Sequence, residues 1–539
     1  MSYSQSWLED PQAIRMVLVT ATVYDVYANQ EVDIYLSNSG YTTTDGVTFY
    51  PVIVGKVGLS EKISPDYSIS MSWGDIEITN KNGDYDKYLD ISKYVWINRS
   101  IKIYYGDPRW QCSLSNIPTT FLKIFDGIIA DCDTRNIRSF NIKLRDKLER
   151  LNGPITEAII GDYGTWASGQ QNKDQLKPII LGEVFNVKPV LLDPSTLEYI
   201  FSSSNPKKFD EAQSETNNIA DSGAAEELIE VRDNGAPIFI YSDVTNYPGA
   251  SKNLAKSTFN LTSPPAGEIT VSAQGIKKSV NFDTGAVLNS TYSNTIAQLI
   301  AVTVLTLGKE STRLVSEDID LQNFKDFNIA NPVPAGIYLD SAANVLEVCQ
   351  QLAGSIGASI FMSRLGKLQL LKFGQPYGTS TIITPNDILF DTFQISERLT
   401  PKPSFSLNWG KNWAVQTNIT TAIPAEHKED FAKEWLEAIA KDDALVSLYS
   451  ASEVPTSQRD TLLIDTTSAE TEVARLLNYF KIQRTVYSFT GSPKLLSLKL
   501  GQPVVLQHSR FGLESGKSGQ VVTLNPDWTK GYVEVEVIV

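Results

Sequence analysis

Two histidines, His427 and His508, are all that 539 residues offer to a Ser-His-Asp or Cys-His mechanism, in which an imidazole must take the nucleophile's proton. His427 heads a charged stretch that reads as a helix, and His508 stands near a turn after a strand. Each reads as a solvated or capping group. Phe511 to Ser518 (FGLESGKS) approaches a phosphate-binding loop, which needs the spacing GxxxxGK[ST] and a following helix whose N-terminus receives the phosphates. Here Gly512 comes one position late and a strand-like run, GQVVTL, follows, so a hairpin loop is expected. Asp84 with Asp86, and Asp131 with Asp133, are carboxylate pairs of the kind that do acid–base work on sugars or hold a cation. At i, i+2 such pairs are common at strand ends and turns, and no EF-hand loop is present. Cys112, Cys132 and Cys349 form no CxxC and show no zinc-ligand spacing; Cys349 lies on an apolar helix stripe and reads as core. The nine tryptophans (Trp7, Trp73, Trp96, Trp110, Trp166, Trp409, Trp413, Trp435 and Trp528) are scattered and read as core or interface anchors. No catalytic, cofactor-binding or metal-binding residue is assigned, no cofactor is expected, and the chain is not expected to be an enzyme.

The elements that would position such groups are mainly β, with α+β portions, in a multidomain chain too long for one core. With 42% hydrophobic residues, and 25 prolines and 33 glycines spread evenly, the composition predicts order almost throughout. The softest stretch is a polar insertion near Ser202 to Glu227. The net charge of −15 argues against a grip on nucleic-acid phosphates, although an acidic channel would let DNA slide without sticking. No basic and apolar leader opens the chain and no run reaches the length of a membrane span, so synthesis in the cytoplasm is expected.

Four segments are expected, with boundaries near residues 153, 290 and 380. The first, about 1–153, alternates short strands with turns: Ile69, Met71 and Trp73 shift phase to Ile76 and Ile78, and Asn82-Gly83 makes a turn. A helix carrying Leu144, Leu148 and Leu151 would close it as a small barrel. The second, about 154–290, is β-rich and holds the polar insertion. The third, about 291–380, opens with a helix from Ile296 to Gly308. Asp340 or Ser341 then caps a helix bearing Val345, Val348, Cys349 and Leu352, followed by a hairpin turning at Arg364 to Lys367. The last, about 381–539, reads as a second barrel with helices inserted near 427–481. One of these would align Phe431, Ala432, Trp435, Leu436 and Ile439; another would open with a capping box at Thr467 to Glu470.

Several stretches resemble the tail-tip or baseplate hub proteins of long-tailed bacteriophages and gene-transfer particles. GDIEITNKNGDYDKYL, NRSIKIYYGD, FDGIIADCD and FNIKLRDKLERL resemble the family's N-terminal barrel and its closing helix, and KPIILGEVFNVKPVLLDPSTLEYI its second domain. GIYLDSAANVLEVCQQLAGSIGASIFMSRLGKLQLL resembles its helix and hairpin unit. NWGKNWAVQ and HSRFGLESGKSGQVVTLNPDWTKGYVEVEV resemble its C-terminal barrel. None is a catalytic fingerprint; their collinearity carries the likeness, and the polar insertion is not explained by it.

The resemblance implies a structural virion protein at the tail tip: a homotrimer whose two tail-tube-like barrels per subunit approximate a six-fold ring. Its partners would be a distal tail or tail-tube protein above, the tape-measure protein in the lumen, and a central fibre or spike below. Because the sequence ends on a strand at Val539, that fibre is expected to be a separate protein. Opening would gate DNA and tape-measure exit during infection, without tight nucleic-acid binding. The alternatives are a receptor-binding adhesin of the tail and a tail-associated cell-wall hydrolase.

Overall fold

The computed structural model describes all residues except 1–3, 11, 56, 65–68, 73, 91, 161–171, 173, 205–222, 418, 421–422, 424 and 450–457. Most of the polar insertion, together with Trp73 and Trp166, therefore lies outside the described residues. Contacts divide the chain into two units: Met1–Glu149, Phe361–Thr400 and Gln483–Val539 make the first, and Arg150–Ile360 and Pro401–Ile482 the second. The fold is mainly β and built of several sheets.

In the first unit, Met16–Asp25 (MVLVTATVYD) is a run of β-branched and apolar residues buried on both faces, as a central strand requires. Gln30–Ser37 and Ser100–Gly106 flank it, and the sheet continues through Leu122–Asn136, Ser139–Arg145, Asp75–Thr79 and Ile53–Val54. A second sheet orders Thr381–Ile383, Pro503–Leu506, Lys517–Asp527, Tyr532–Ile538, Thr485–Gly491 and Gln394–Arg398. The Ser60–Ile63 and Ile69–Ser72 hairpin, expected within the first barrel, pairs instead with Lys517–Asp527 of this second sheet. One core joins the two sheets: Val19, Ile103 and Phe125 belong to the same buried cluster as Leu506, Leu524 and Val535. Tyr105 and Trp528 meet edge to face within it, ring centroids 5.0 Å apart.

Two expectations change here. Among the described residues neither sheet closes on itself, because the first ends on the two-residue strands Tyr41–Thr42 and Ile53–Val54, and the second on Thr381–Ile383 and Gln394–Arg398. The expected barrels are open sheets. The helix expected from Leu144 is also absent: Leu144 is still in strand Ser139–Arg145, paired with Ile129, and only Lys147–Leu151 coils, as a short 3-10 turn. The leucine spacing mimicked a helix across a strand end.

The second unit centres on a five-stranded sheet in the order Ala236–Ile240, Ala225–Asp233, Ile269–Ile276, Ile179–Val187 and Gly336–Leu339. Val184, Leu228, Val231, Val271 and Phe259 fill its core. The helix Ile296–Thr306 is buried almost all round and ends before Gly308, whose φ of 76° only glycine adopts freely. Val345–Gly354 is the expected amphipathic helix, but Asn344 caps it, its side chain accepting from the Leu346 N–H. Thr466–Phe480 likewise forms where expected, with Asp465 as cap, and packs Val473, Leu476 and Phe480 inward. The helix through Phe431 stops at Ala432; Leu436–Lys441 is a strand paired with Ser404–Trp409. Trp435 therefore sits in the connection between helix and strand, and the apolar periodicity from Phe431 to Ile439 spans two elements.

Candidate functional site

The residues singled out for chemistry land apart. His508 follows strand Pro503–Leu506, stacks on Phe393 at 4.1 Å between ring centroids, and accepts the Arg510 N–H at Nδ1. His427 lies in helix Ala425–Ala432 of the other unit. Phe511 to Ser518 bridges strands Pro503–Leu506 and Lys517–Asp527, which pair antiparallel from Leu506 with Lys517 onward. That is a hairpin, with no helix behind it to receive a phosphate. Asp131 and Asp133 flank the Lys143 ammonium at 3.7 and 2.6 Å, and Asp133 also accepts from the Asn141 amide. Asp86 accepts from the Asn80 amide at 2.6 Å, while Asp84 is exposed in the turn. The hydroxyl of Tyr41 contacts the buried Cys112. Burial pushes the Cys132 thiol up to about 12 and raises Cys349 well above the usual thiol value. Neither is poised as a thiolate nucleophile. Among the described residues, no cluster of three or more His, Cys, Asp or Glu side chains is placed to hold a metal.

The second unit does contain a cleft of about 350 Å³ that sequence reasoning missed. Its floor is Glu183 to Phe185 of one central strand and Glu230 and Arg232 of another. Its walls are Trp409, the loop from Gly410 to Trp413, and Lys433, Trp435 and Leu436. Three of the nine tryptophans, Trp409, Trp413 and Trp435, converge here, each half-buried. The Lys411 ammonium lies 4.3 Å from the Trp413 ring centroid and 5.0 Å from that of Trp435, and 3.9 Å from the Glu434 carboxylate.

Buried hydrogen bonds hold this loop in place. The Asn412 amide donates to the carbonyls of Phe431 and Lys433 at 2.8 and 3.1 Å, and its oxygen accepts from Asn186 at 2.9 Å. At the floor, the Arg232 guanidinium lies 5.0 Å from the Phe185 ring and 5.1 Å from that of Phe431, ion-paired with Glu230 and donating to Ser272 Oγ. Burial pushes Arg232 below the usual arginine value, and Glu230 pulls it back up. A further cavity of about 670 Å³, between Phe431, Pro237 and Tyr247, shares Phe185, Glu230, Arg232 and Asp430 with the cleft. The one signal in the sequence was local density: three tryptophans fall between Trp409 and Trp435, but the helix expected across Trp435 gave that side chain a different face.

In the first unit, a polar groove of about 540 Å³ is lined by Lys62, Thr523, Asn525, Glu534 and Glu536. Two of its carboxylates are engaged: Glu536 by Thr523 at 2.6 Å and Lys62 at 3.6 Å, Glu534 by Asn525 at 2.6 Å.

No protein-family model and no curated protein matches the chain. Among solved structures, the 43 kDa tail protein of prophage MuSo2 from Shewanella oneidensis is similar over 98% of both chains, at 9% identity and a TM-score of 0.34. A chain of the native gene transfer agent virion is similar over 73% of this chain and 91% of its own, at 10% identity and a TM-score of 0.40. A prophage tail protein from Listeria monocytogenes EGD-e is similar over 97% of this chain and 94% of its own, at 10% identity and a TM-score of 0.33. Likenesses this distant transfer no residue's role.

Proposed function

We propose that this chain is a structural component of a bacteriophage-type tail, acting as the hub of the tail tip or baseplate. The observation that carries the reading is the assembly of the first unit: strands from the beginning and the end of the chain form two sheets on one shared core. A hub subunit of the family that the sequence resembles needs two such modules fixed side by side, so that three subunits can offer six similar surfaces to a six-fold tube. A rigid common core, with Tyr105 of one sheet packed on Trp528 in the turn after strand Lys517–Asp527 of the other, supplies that fixity.

In this reading the hub is an adaptor and a gate. Its upper face meets a tail-tube or distal tail protein, its lumen the tape-measure protein, and its lower face a central fibre or spike. Gating needs two arrangements of the subunit interface whose balance receptor engagement shifts, and no catalytic group. The acidic composition suits a channel that DNA crosses without adsorbing. Immunogold labelling of intact particles with antibody to this chain tests the assignment. Label confined to the distal end of the tail is expected; label along the tube, or only at the outer tips of side fibres, would overturn it.

A further inference from the structure

We propose that the tryptophan-lined cleft of the second unit binds a neutral hexopyranose unit of a cell-surface glycan. The inference does not depend on the hub reading, since it rests on one cleft inside one unit. Its size comes first: about 350 Å³ lies at the low end of small-molecule sites, which span about 300–1,000 Å³, and suits a sugar ring better than a folded peptide.

Its lining is the second argument. Trp409, Trp413 and Trp435 line the cleft with half-buried indoles. The Lys411 ammonium covers one face of the Trp413 and Trp435 rings, so the weakly positive C–H face of a pyranose would pack on Trp409 and on the indole area that Lys411 leaves open, where the flat rings exclude water from it. A purely aliphatic ligand would leave the polar rim unpaired, which costs binding free energy.

Charge selects the class of sugar. Glu183, Glu230 and Asp430 are matched in the lining by Arg232, Lys411 and Lys433, so the cleft offers donors and acceptors with no net field to favour an anion or a cation. A polyol, whose every hydroxyl both donates and accepts, fits such a rim. The carboxylates are also committed in ways that favour binding over hydrolysis: Glu183 accepts from the Gln274 amide at 2.7 Å and Glu230 is ion-paired with Arg232. The loop carrying Trp413 is fixed in advance by Asn412, so little ordering cost falls on the ligand.

The test uses the full chain. Saturation-transfer NMR against a panel of neutral probes (glucose, galactose, mannose, N-acetylglucosamine and their oligomers), beside heparin and polysialic acid, reports binding. Hydroxyl-radical footprinting of the wild-type protein then locates it. The expected result is saturable binding of at least one neutral probe, with Trp409, Trp413 and Trp435 protected and Trp7 and Trp110 unchanged. Trp435→Ala should weaken it at least about tenfold, and Trp435→Phe, which keeps a ring face, by less. No saturable binding of any neutral probe, binding of the anionic polymers alone, or protection that spares all three tryptophans would each overturn the proposal without recourse to a variant.

Discussion

Asp107 shows how a single carboxylate is tied into the first unit. Buried behind an exposed Arg109, it accepts from that guanidinium at 2.6 and 2.9 Å and from the Trp7 indole at 3.3 Å. The hydrogen bonds from Arg109 hold its pKa below the ordinary aspartate value of 3.8. A depressed carboxylate adds stability that is present above the unfolded value and is lost as pH falls through the folded one. Asp107→Asn should therefore flatten the acid limb of a urea-midpoint-versus-pH curve. At neutral pH the loss should stay below about 1 kcal/mol, because water screens the mostly exposed Arg109. An unchanged acid limb would remove Asp107 from this role. Arg232 is the opposite case, a guanidinium buried between Phe185 and Phe431 with Glu230 as its ion partner. Arg232→Ala removes the ion pair to the half-buried Glu230 and opens a gap between two rings, so a loss of about 3–5 kcal/mol is expected in urea unfolding. A loss under about 1 kcal/mol would mean that water reaches this pair freely.

At the scale of elements, the central strands of the second unit approach so closely that glycine is required. Gly336 pairs with Gly182 across two strands, and a Cβ built on Gly336 would lie 1.6 Å from the Glu183 carbonyl oxygen. Backbone cannot yield as a side-chain tip can, so Gly336→Ala should cost at least about 3 kcal/mol, the upper range for overpacked cores. Hydrogen exchange should show lost protection along Ile179–Val187 and Gly336–Leu339; full protection there would contradict the reading. Elements with strong local signals were legible in the sequence. The helix Val345–Gly354 and the strands Ala358–Met362 and Leu368–Lys372 announced themselves through an apolar stripe, a terminating glycine and a tight turn. Failures came where one pattern crossed two elements, as with Leu144 at a strand end and Trp435 beyond a helix end. The transfer of Ser60–Ile63 to the distant strand Lys517–Asp527 was invisible for another reason, since alternation fixes which face is buried and not which partner strand it meets. The tryptophan cleft was hidden likewise, because its floor comes from strands Ile179–Val187 and Ala225–Asp233, far in sequence from the tryptophans that wall it.

For the whole molecule, the proposed hub makes a subunit with two β-sheets on one core one third of a ring. Strand edges bear on this. Gln394–Arg398 borders the second sheet with an almost wholly exposed, charged face, and Thr381–Ile383 borders its other side with Ile382 57% exposed. Edges of this kind remain open to pairing across a subunit boundary unless charge or twist discourages it. The most direct measurement is negative-stain electron microscopy of the purified full chain, alone and mixed with a candidate tail-tube or distal tail protein. Three-fold rings with a central channel are expected, formed by the chain itself or on contact with the tube protein. Compact monomers that stay single at every concentration and with every tube partner would contradict the proposed hub.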